Sequence, residues 1–345
     1  MKRVVTTLIT LSLAAGAGAA GARSPAPADP ADQRACLAAA QYSDARRGLS
    51  VLVLRDGAVV CEHYAAGDAE TGHELYSGTK SLVGLMAAAA VQDGLLTLDE
   101  PVSDTLPEWR DDPLKTQASV RQLLSMTAGL PSRVGQPPAY AAAVTMPFNA
   151  APGARFQYGP APMQVFGELL SRKLAARGEP ADPLAYLERR LLQPLGIGYA
   201  AWRKGPDGWP LLPQGAAMSA REWAKVGEFV RSGGRKDGKP LVDPEAFGEL
   251  FQGTEANPGY GLTWWLPLPG PDLGPAAGSD IGPRAAELPA DMAMAAGAGD
   301  QRLYVIPSAG LVIVRQARLD LAALQRPRTA DDWSDTTFLR LLIDR

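Results

Sequence analysis

Histidine and cysteine are scarce here: 345 residues carry two of each, His63, His73, Cys36 and Cys61. So few ligating side chains argue against a zinc site of Cys and His, and no other metal or cofactor is implied. No Gly-x-Ser-x-Gly occurs, His73 lies only four residues before Ser77, and His63 reads as a strand residue, so a Ser-His-Asp relay is not expected. Beyond the first 22 residues no apolar run is long enough to cross a bilayer. A basic excess is also missing. The chain has 34 Lys and Arg against 37 Asp and Glu, which excludes nucleic acid and an anionic membrane surface as expected partners.

The first 22 residues have a layout of their own. Lys2 and Arg3 precede an apolar run from Val4 to about Ala15, and small residues follow to Ala20-Gly21-Ala22. This is the pattern of a secretory signal peptide, with cleavage expected after Ala22 and Ala17 or Ala19 as other fits. No Cys stands at that point, which argues against a lipoprotein. The expected mature protein starts at residue 23 and is periplasmic or secreted. Its net charge, without Lys2 and Arg3, is −5. In an exported chain an even number of cysteines suggests that Cys36 and Cys61 pair, two buried thiols being the other reading.

What is there centres on His73 to Gly84. Leu82 to Val91 is apolar on every side without proline, the mark of a helix buried all round. Ser77 is expected at its head, and among all the serines it alone has a Lys three residues on, Lys80. That spacing places both side chains on one face. A Lys in the first turn sits at the positive end of the helix macrodipole. Desolvation there lowers its proton affinity, so that it can take a proton from Ser77. Ser-x-x-Lys alone is a weak signal, because Ser is also a common helix cap and Lys a common surface residue.

The rest of the chain gives context. Ala31 to Gln41 has helical spacing. Leu49 to Leu54 and Ala58 to Tyr64 form a hairpin across Asp56-Gly57. Helices are predicted at 118–127, 163–176, 183–192 and 219–231, and at 333–343. Strands are predicted at Tyr260 to Leu266, and as a hairpin of Arg302 to Ile306 with Leu311 to Gln316; Pro267 to Met292 reads as a long loop. Strands at both ends of a helical middle predict an α+β fold: an antiparallel sheet flanked by N- and C-terminal helices, with an inserted all-helical lobe. The α/β lobe is expected at about 31–94 and 240–345, and the helical lobe at about 95–239. No internal repeat is present.

Taken together, these residues resemble the serine β-lactamase and penicillin-binding-protein superfamily, and within it the class C-like esterases and the 6-aminohexanoate-dimer hydrolases. Ser77-Gly78-Thr79-Lys80 is similar to that family's nucleophile motif. Gly94 to Val102, Val120 to Leu130, Pro152 to Tyr158, Pro194-Leu195-Gly196 and Gly215 to Lys225 match further stretches, so the likeness runs from about residue 45 to the end. It implies a β-lactamase-like fold and an acyl-enzyme on Ser77, with Lys80 and Tyr158 acting together on the proton. The family has Tyr-x-Asn where this chain has Tyr158-Gly159-Pro160, so the amide is missing. The third motif, Lys-Thr-Gly in the family, corresponds to Ala295 to Gln301 and holds neither Lys nor His.

The missing Lys removes a cation for a substrate carboxylate, which disfavours β-lactams and peptidoglycan stems. Small residues there still let substrate approach the backbone, so an oxyanion hole is expected from the N–H groups of Ser77 and of Gly297 or Ala298. Trp264 and Trp265, adjacent on a predicted strand, point to opposite faces, and either is a candidate for the substrate pocket. The expectation is an exported serine hydrolase acting on a small-molecule ester or amide, with no cofactor. A D-alanyl-D-alanine peptidase or β-lactamase is one alternative, and a degenerate enzyme that binds cell-wall fragments is another. Nothing in the sequence sets an oligomeric state.

Overall fold

A computed structural model describes residues 29–131, 135–270, 279–323, 326, 329 and 331–343. The expected leader at 1–22 lies outside these residues, as does part of the expected loop from Pro267 to Met292.

The chain opens with α1 (Pro30–Asp44), whose first turn has Pro30 at its head and Asp29 as the cap that accepts from the Ala31 N–H. Strands β1 (Gly48–Arg55) and β2 (Ala58–Tyr64) pair antiparallel across Asp56 and Gly57, which both adopt the left-handed backbone that a two-residue hairpin needs. A disulfide joins Cys36 on α1 to Cys61 on β2. After β3 (His73–Glu74) comes a single 3-10 turn, Tyr76–Thr79, and then α2 (Lys80–Gln92). Every residue of α2 from Lys80 to Ala90 is buried, as its unbroken apolar run predicts, and Gly94 in the left-handed region ends the segment.

The middle is helical: α3 (Val102–Thr105), α4 (Val120–Leu124), α5 (Tyr140–Thr145), α6 (Ala161–Ala176), α7 (Pro183–Leu187), a π turn at Glu188–Leu192, and α8 (Gln193–Leu195). The predicted helix at 118–127 is shorter, because a Ser119–Gln122 capping box starts it late and Met126, at φ 61°, stops it early. Short strands β4 (Ala201–Trp202) and β5 (Ala216–Met218) join β3 in the order β3-β5-β4. Then come α9 (Ala220–Arg231), the ribbon β6 (Arg235–Lys236) with β7 (Lys239–Pro240), and α10 (Pro244–Glu249).

The last strands are β8 (Ala293–Gly297), β9 (Gln301–Ile306) and β10 (Leu311–Ala317), before the closing helix α11 (Asp335–Ile343). The main sheet runs β2-β1-β10-β9-β8, antiparallel throughout, with Val53 opposite Ile313 and Gly297 opposite Gln301. The fold is therefore α+β. Alternate residues feed two cores. Val51, Val53, Leu311 and Ile313 face α11 and the Ala39 side of α1, while Leu52, Val312 and Val314 face α2 and α9. Burial on both faces explains why these strands read as continuous apolar runs rather than alternating ones.

Three expectations change. Ser77 belongs to the 3-10 turn, and the α-helix proper begins at Lys80. Tyr260 to Leu266 is not a strand: the chain doubles back at Gly261, whose N–H bonds the Trp264 carbonyl, and Thr263 sits at φ 74°. Helix α9, expected within the helical lobe, lies on the sheet instead. Gly227 lets it sit so close that an added methyl would meet Val312 and Leu303.

Candidate active site

The 3-10 turn that carries Ser77 is gripped from two sides. On one, β5 takes the Leu75 N–H on the Ala216 carbonyl at 2.9 Å, and the Ala216 N–H reaches Thr79 Oγ1 at 3.2 Å. On the other, β8 comes so near that a methyl added to Gly297 would stand 2.0 Å from the Leu75 carbonyl oxygen. Only glycine fits there. Tyr76, immediately before Ser77, is in the left-handed region at φ 48°, a conformation that costs a non-glycine residue on the order of 1–2 kcal/mol. The nucleophile candidate thus follows a bend that the flanking strands hold in place.

Lys80 Nζ lies 2.9 Å from Ser77 Oγ and 3.1 Å from the Pro213 carbonyl, which it bonds from inside the core. The side chain is 2% exposed, and burial lowers its pKa from 10.5 to about 7. Near neutrality a sizeable fraction of the amine is uncharged and able to accept a proton. The amine also stands 4.8 Å over the centre of the Tyr158 ring.

Tyr158 completes the cluster. Burial pushes its hydroxyl up to about 12, against the lowering effects of a hydrogen bond with Ser77 and the charge of Arg302. Tyr158 therefore stays protonated where Lys80 does not. Its ring packs with Trp265, Tyr260 and Phe156 at centroid distances of 5.4, 5.9 and 6.3 Å. Gly159 and Pro160, which replace the expected x-Asn, lead straight into α6, with Pro160 as the cap of that helix.

The two tryptophans part company. Trp265 is the one beside Tyr158, whereas Trp264 is fully buried against Phe251. Trp265 and Met294 exchange both backbone hydrogen bonds at 2.9 Å, so the even-numbered residues of β8 turn their N–H and C=O groups to the outer edge of the sheet. Gly297, paired with Gln301, turns its own toward β9. Of the two alternatives for the donor beside Ser77, the register thus puts the Ala298 N–H, not that of Gly297, on the open edge.

His63 Nε2 is bound to Asp44 at 2.9 Å on the opposite edge strand of the sheet, and His73 pairs with Met218 in the small sheet. Among the described residues no cluster of His, Cys, Asp or Glu could hold a metal, and no helix is long and apolar enough to cross a membrane. Two features had no sequence signal: the Pro213 carbonyl that fixes Lys80, and the strand character of β8. A backbone acceptor leaves no mark on a side-chain pattern. Ala-Met-Ala-Ala-Gly is a poor strand former, although its run of small residues does mark a close backbone approach.

The fold recurs among solved structures. No curated protein matches this chain in sequence. Among solved structures, a Bacteroides dorei DSM 17855 protein assigned as a beta-lactamase superimposes with a TM-score of 0.70 at 18% identity, over 91% of this chain and 97% of that one. EstCE1, a hydrolase with promiscuous acyltransferase activity, gives 0.66 at 18%, over 91% and 98%. A Bacillus anthracis protein assigned as a 6-aminohexanoate-dimer hydrolase gives 0.65 at 16%, over 88% and 80%. At such identities the likeness is one of fold. The sequence profile described as Beta-lactamase matches residues 34–330, most of the chain from α1 to beyond β10, and this chain accordingly belongs to the beta-lactamase family.

Proposed function

We propose that the protein is an exported serine hydrolase that cleaves an ester or amide through an acyl-enzyme on Ser77. The observation that carries this reading is the buried Lys80 amine, 2.9 Å from Ser77 Oγ and with a pKa brought down to about 7. A neutral amine at that distance is a general base ready for the hydroxyl proton. Export rests on the leader at residues 1–22 alone.

In acylation, Ser77 Oγ attacks the carbonyl carbon as its proton passes to Lys80 Nζ. The negative charge goes to the carbonyl oxygen, between the N–H groups of Ser77 and Ala298. The intermediate collapses, the bond to the leaving group breaks, and that group takes up a proton from Lys80 relayed by the Tyr158 hydroxyl. Tyr158 suits the relay because it keeps its own proton at neutral pH. Water then attacks the acyl-enzyme, gives its proton to Lys80, and the second collapse returns the proton to Ser77 as the acid leaves. This order makes Lys80 the base and Tyr158 the carrier.

Relatives by fold include EstCE1, a hydrolase with promiscuous acyltransferase activity, and a protein assigned as a 6-aminohexanoate-dimer hydrolase, which supports a hydrolytic reaction here. Incubation with a fluorophosphonate, followed by mass spectrometry of the peptides, tests the reading. The expected result is one adduct on Ser77, hydrolysis of p-nitrophenyl butyrate by the wild type, and neither in Ser77→Ala. A folded wild type that is neither labelled nor active would remove the proposal.

A further inference from the structure

Behind the edge strand lies a buried group of charges that hydrolysis as described leaves unused. Arg302, on β9, is 2% exposed. Its Nε bonds Asp335 Oδ1 at 2.7 Å, and Nη2 bonds Asp300 Oδ1 at 3.2 Å. Asp335 also accepts from the Trp333 indole at 2.9 Å and from the Tyr304 hydroxyl at 2.5 Å. Arg315, equally buried, donates to the Asp300 carbonyl at 2.9 Å. A buried ion pair of this kind is seldom needed for stability, since apolar residues of the same volume often serve as well. That raises the question of what the guanidinium does.

Its remaining nitrogen gives the answer. Arg302 Nη1 donates to the Gly297 carbonyl at 3.2 Å and to the Gln301 carbonyl at 3.1 Å. Gly297 is the residue pressed against Leu75 at the foot of the nucleophile turn, and its carbonyl belongs to the same peptide unit as the Ala298 N–H. That peptide is trans, so its C=O and N–H point in opposite directions. With the oxygen fixed toward β9, the N–H is fixed toward the open edge beside Ser77. A cation on the oxygen end also polarises the peptide and makes its N–H a stronger donor. The turn beyond is locked as well, because Gln301 Nε2 donates to the Ala298 carbonyl at 3.3 Å and to Ala317 O at 2.7 Å.

We propose that Arg302 is a positioning residue for the reaction: it orients and polarises the Gly297–Ala298 peptide so that the Ala298 N–H faces the developing oxyanion at Ser77. The cluster holds two arginines and two aspartates and is close to neutral. The effect of Arg302 on the Ala298 N–H travels through the hydrogen bond to Gly297, beside the lowering effect that its charge has on the Tyr158 hydroxyl. The role rests on the hydrolase reading, but its structural part can be tested without turnover.

The experiment compares Arg302→Met and Arg302→Lys with the wild type in three measurements: kcat and KM for p-nitrophenyl butyrate, affinity for phenylboronic acid, and the NMR resonance of the Ala298 amide. Phenylboronic acid forms a tetrahedral adduct with a serine and places an oxygen where the oxyanion would be. For Arg302→Met the expected result is a kcat lowered by about 10- to 100-fold, less than the roughly 10²- to 10³-fold of losing an oxyanion donor outright because the N–H is misaligned and not removed, with KM changed by less than about threefold. Boronate affinity falls in step, and the Ala298 amide resonance moves. Arg302→Lys keeps the charge but cannot span Asp335 and Gly297 together, so its kcat falls less, by about 3- to 10-fold. It carries the test should the Met variant fail to fold.

Wild-type kcat in either folded variant, or a loss confined to KM, overturns the proposal. If the wild type turns over no ester, the hydrolase reading fails by itself. Boronate affinity and the Ala298 resonance then decide the role of Arg302: no change in either overturns it.

Discussion

At the scale of single residues, Lys80 sets the terms. The group has an ordinary pKa of 10.5 in the unfolded chain and one of about 7 when buried. Between those values the unfolded state binds the extra proton, so stability rises with pH from about 7 to 10.5 and is lost as pH falls through that window. The full shift corresponds to several kcal/mol, on the order of 3–5. Lys80→Met should therefore lose activity by about 10²-fold or more while flattening that dependence. Urea midpoints measured at pH 6 and pH 9 check it: the wild type gains stability toward pH 9 and the variant does not. Wild-type kcat/KM should rise along a limb centred near pH 7, and a limb near 10 would contradict Lys80 as base. Much of this was legible beforehand. A lone Ser-x-x-Lys ahead of a uniformly apolar run announces a buried amine. Its partner, the Pro213 carbonyl, was not legible, because any residue could supply it.

At the scale of elements, the contrast between α2 and β8 is instructive. The sequence of α2 has no polar face, so its place in the centre of the molecule could be read directly. The pair β1 and β2 was equally clear from Asp56-Gly57. Strand β8 has neither β-branched residues nor alternation, and what identifies it is its neighbour β9 and the bridge from Met294 to Trp265. The opposite holds at Tyr260 to Leu266, where aromatic and β-branched residues predict a strand that does not form. There Gly261 and the left-handed Thr263 fold the chain back so that Trp265 reaches Tyr158. Composition describes what a strand can tolerate, whereas pairing decides what becomes one.

Because β8 and the turn that carries Ser77 meet at Gly297 without room for a methyl, Gly297→Ala must push the two apart. The obstacle is a backbone oxygen, which cannot rotate away. The variant is expected to fold, since β8 is an edge strand, but to lose about 10²-fold or more in kcat as Ser77 and Ala298 separate. Steady-state kinetics beside a thermal melt checks this. Unchanged kcat would mean that the close approach does not set the geometry.

At the scale of the whole molecule, the N-terminal helix α1 is tied to β2 by the Cys36–Cys61 disulfide, 25 residues apart in sequence. Closing a loop of that size lowers the entropy of the unfolded chain by an amount worth about 3 kcal/mol. Replacing both cysteines by Ser should lower the melting temperature by several degrees while leaving kcat/KM for a p-nitrophenyl ester within about twofold. The bond lies at the β2 edge, across the whole sheet from β8. A large loss of activity in a folded double variant would show that the two edges are coupled.

The pairing of β1 with β10 has one more consequence. Residues near 50 hydrogen-bond to residues near 315, and β1 stands between β2 and a strand made much later. At about 5–20 residues per second of synthesis, roughly 10–50 s separate the two. Throughout that interval one flank of β1 has no partner, while Ser77 and Lys80 already exist without the strand beside them. A chain still lacking β10 is thus open to association along that flank. The strands that flank the Ser77–Lys80 turn on the Gly297 side are therefore also among the last to be made.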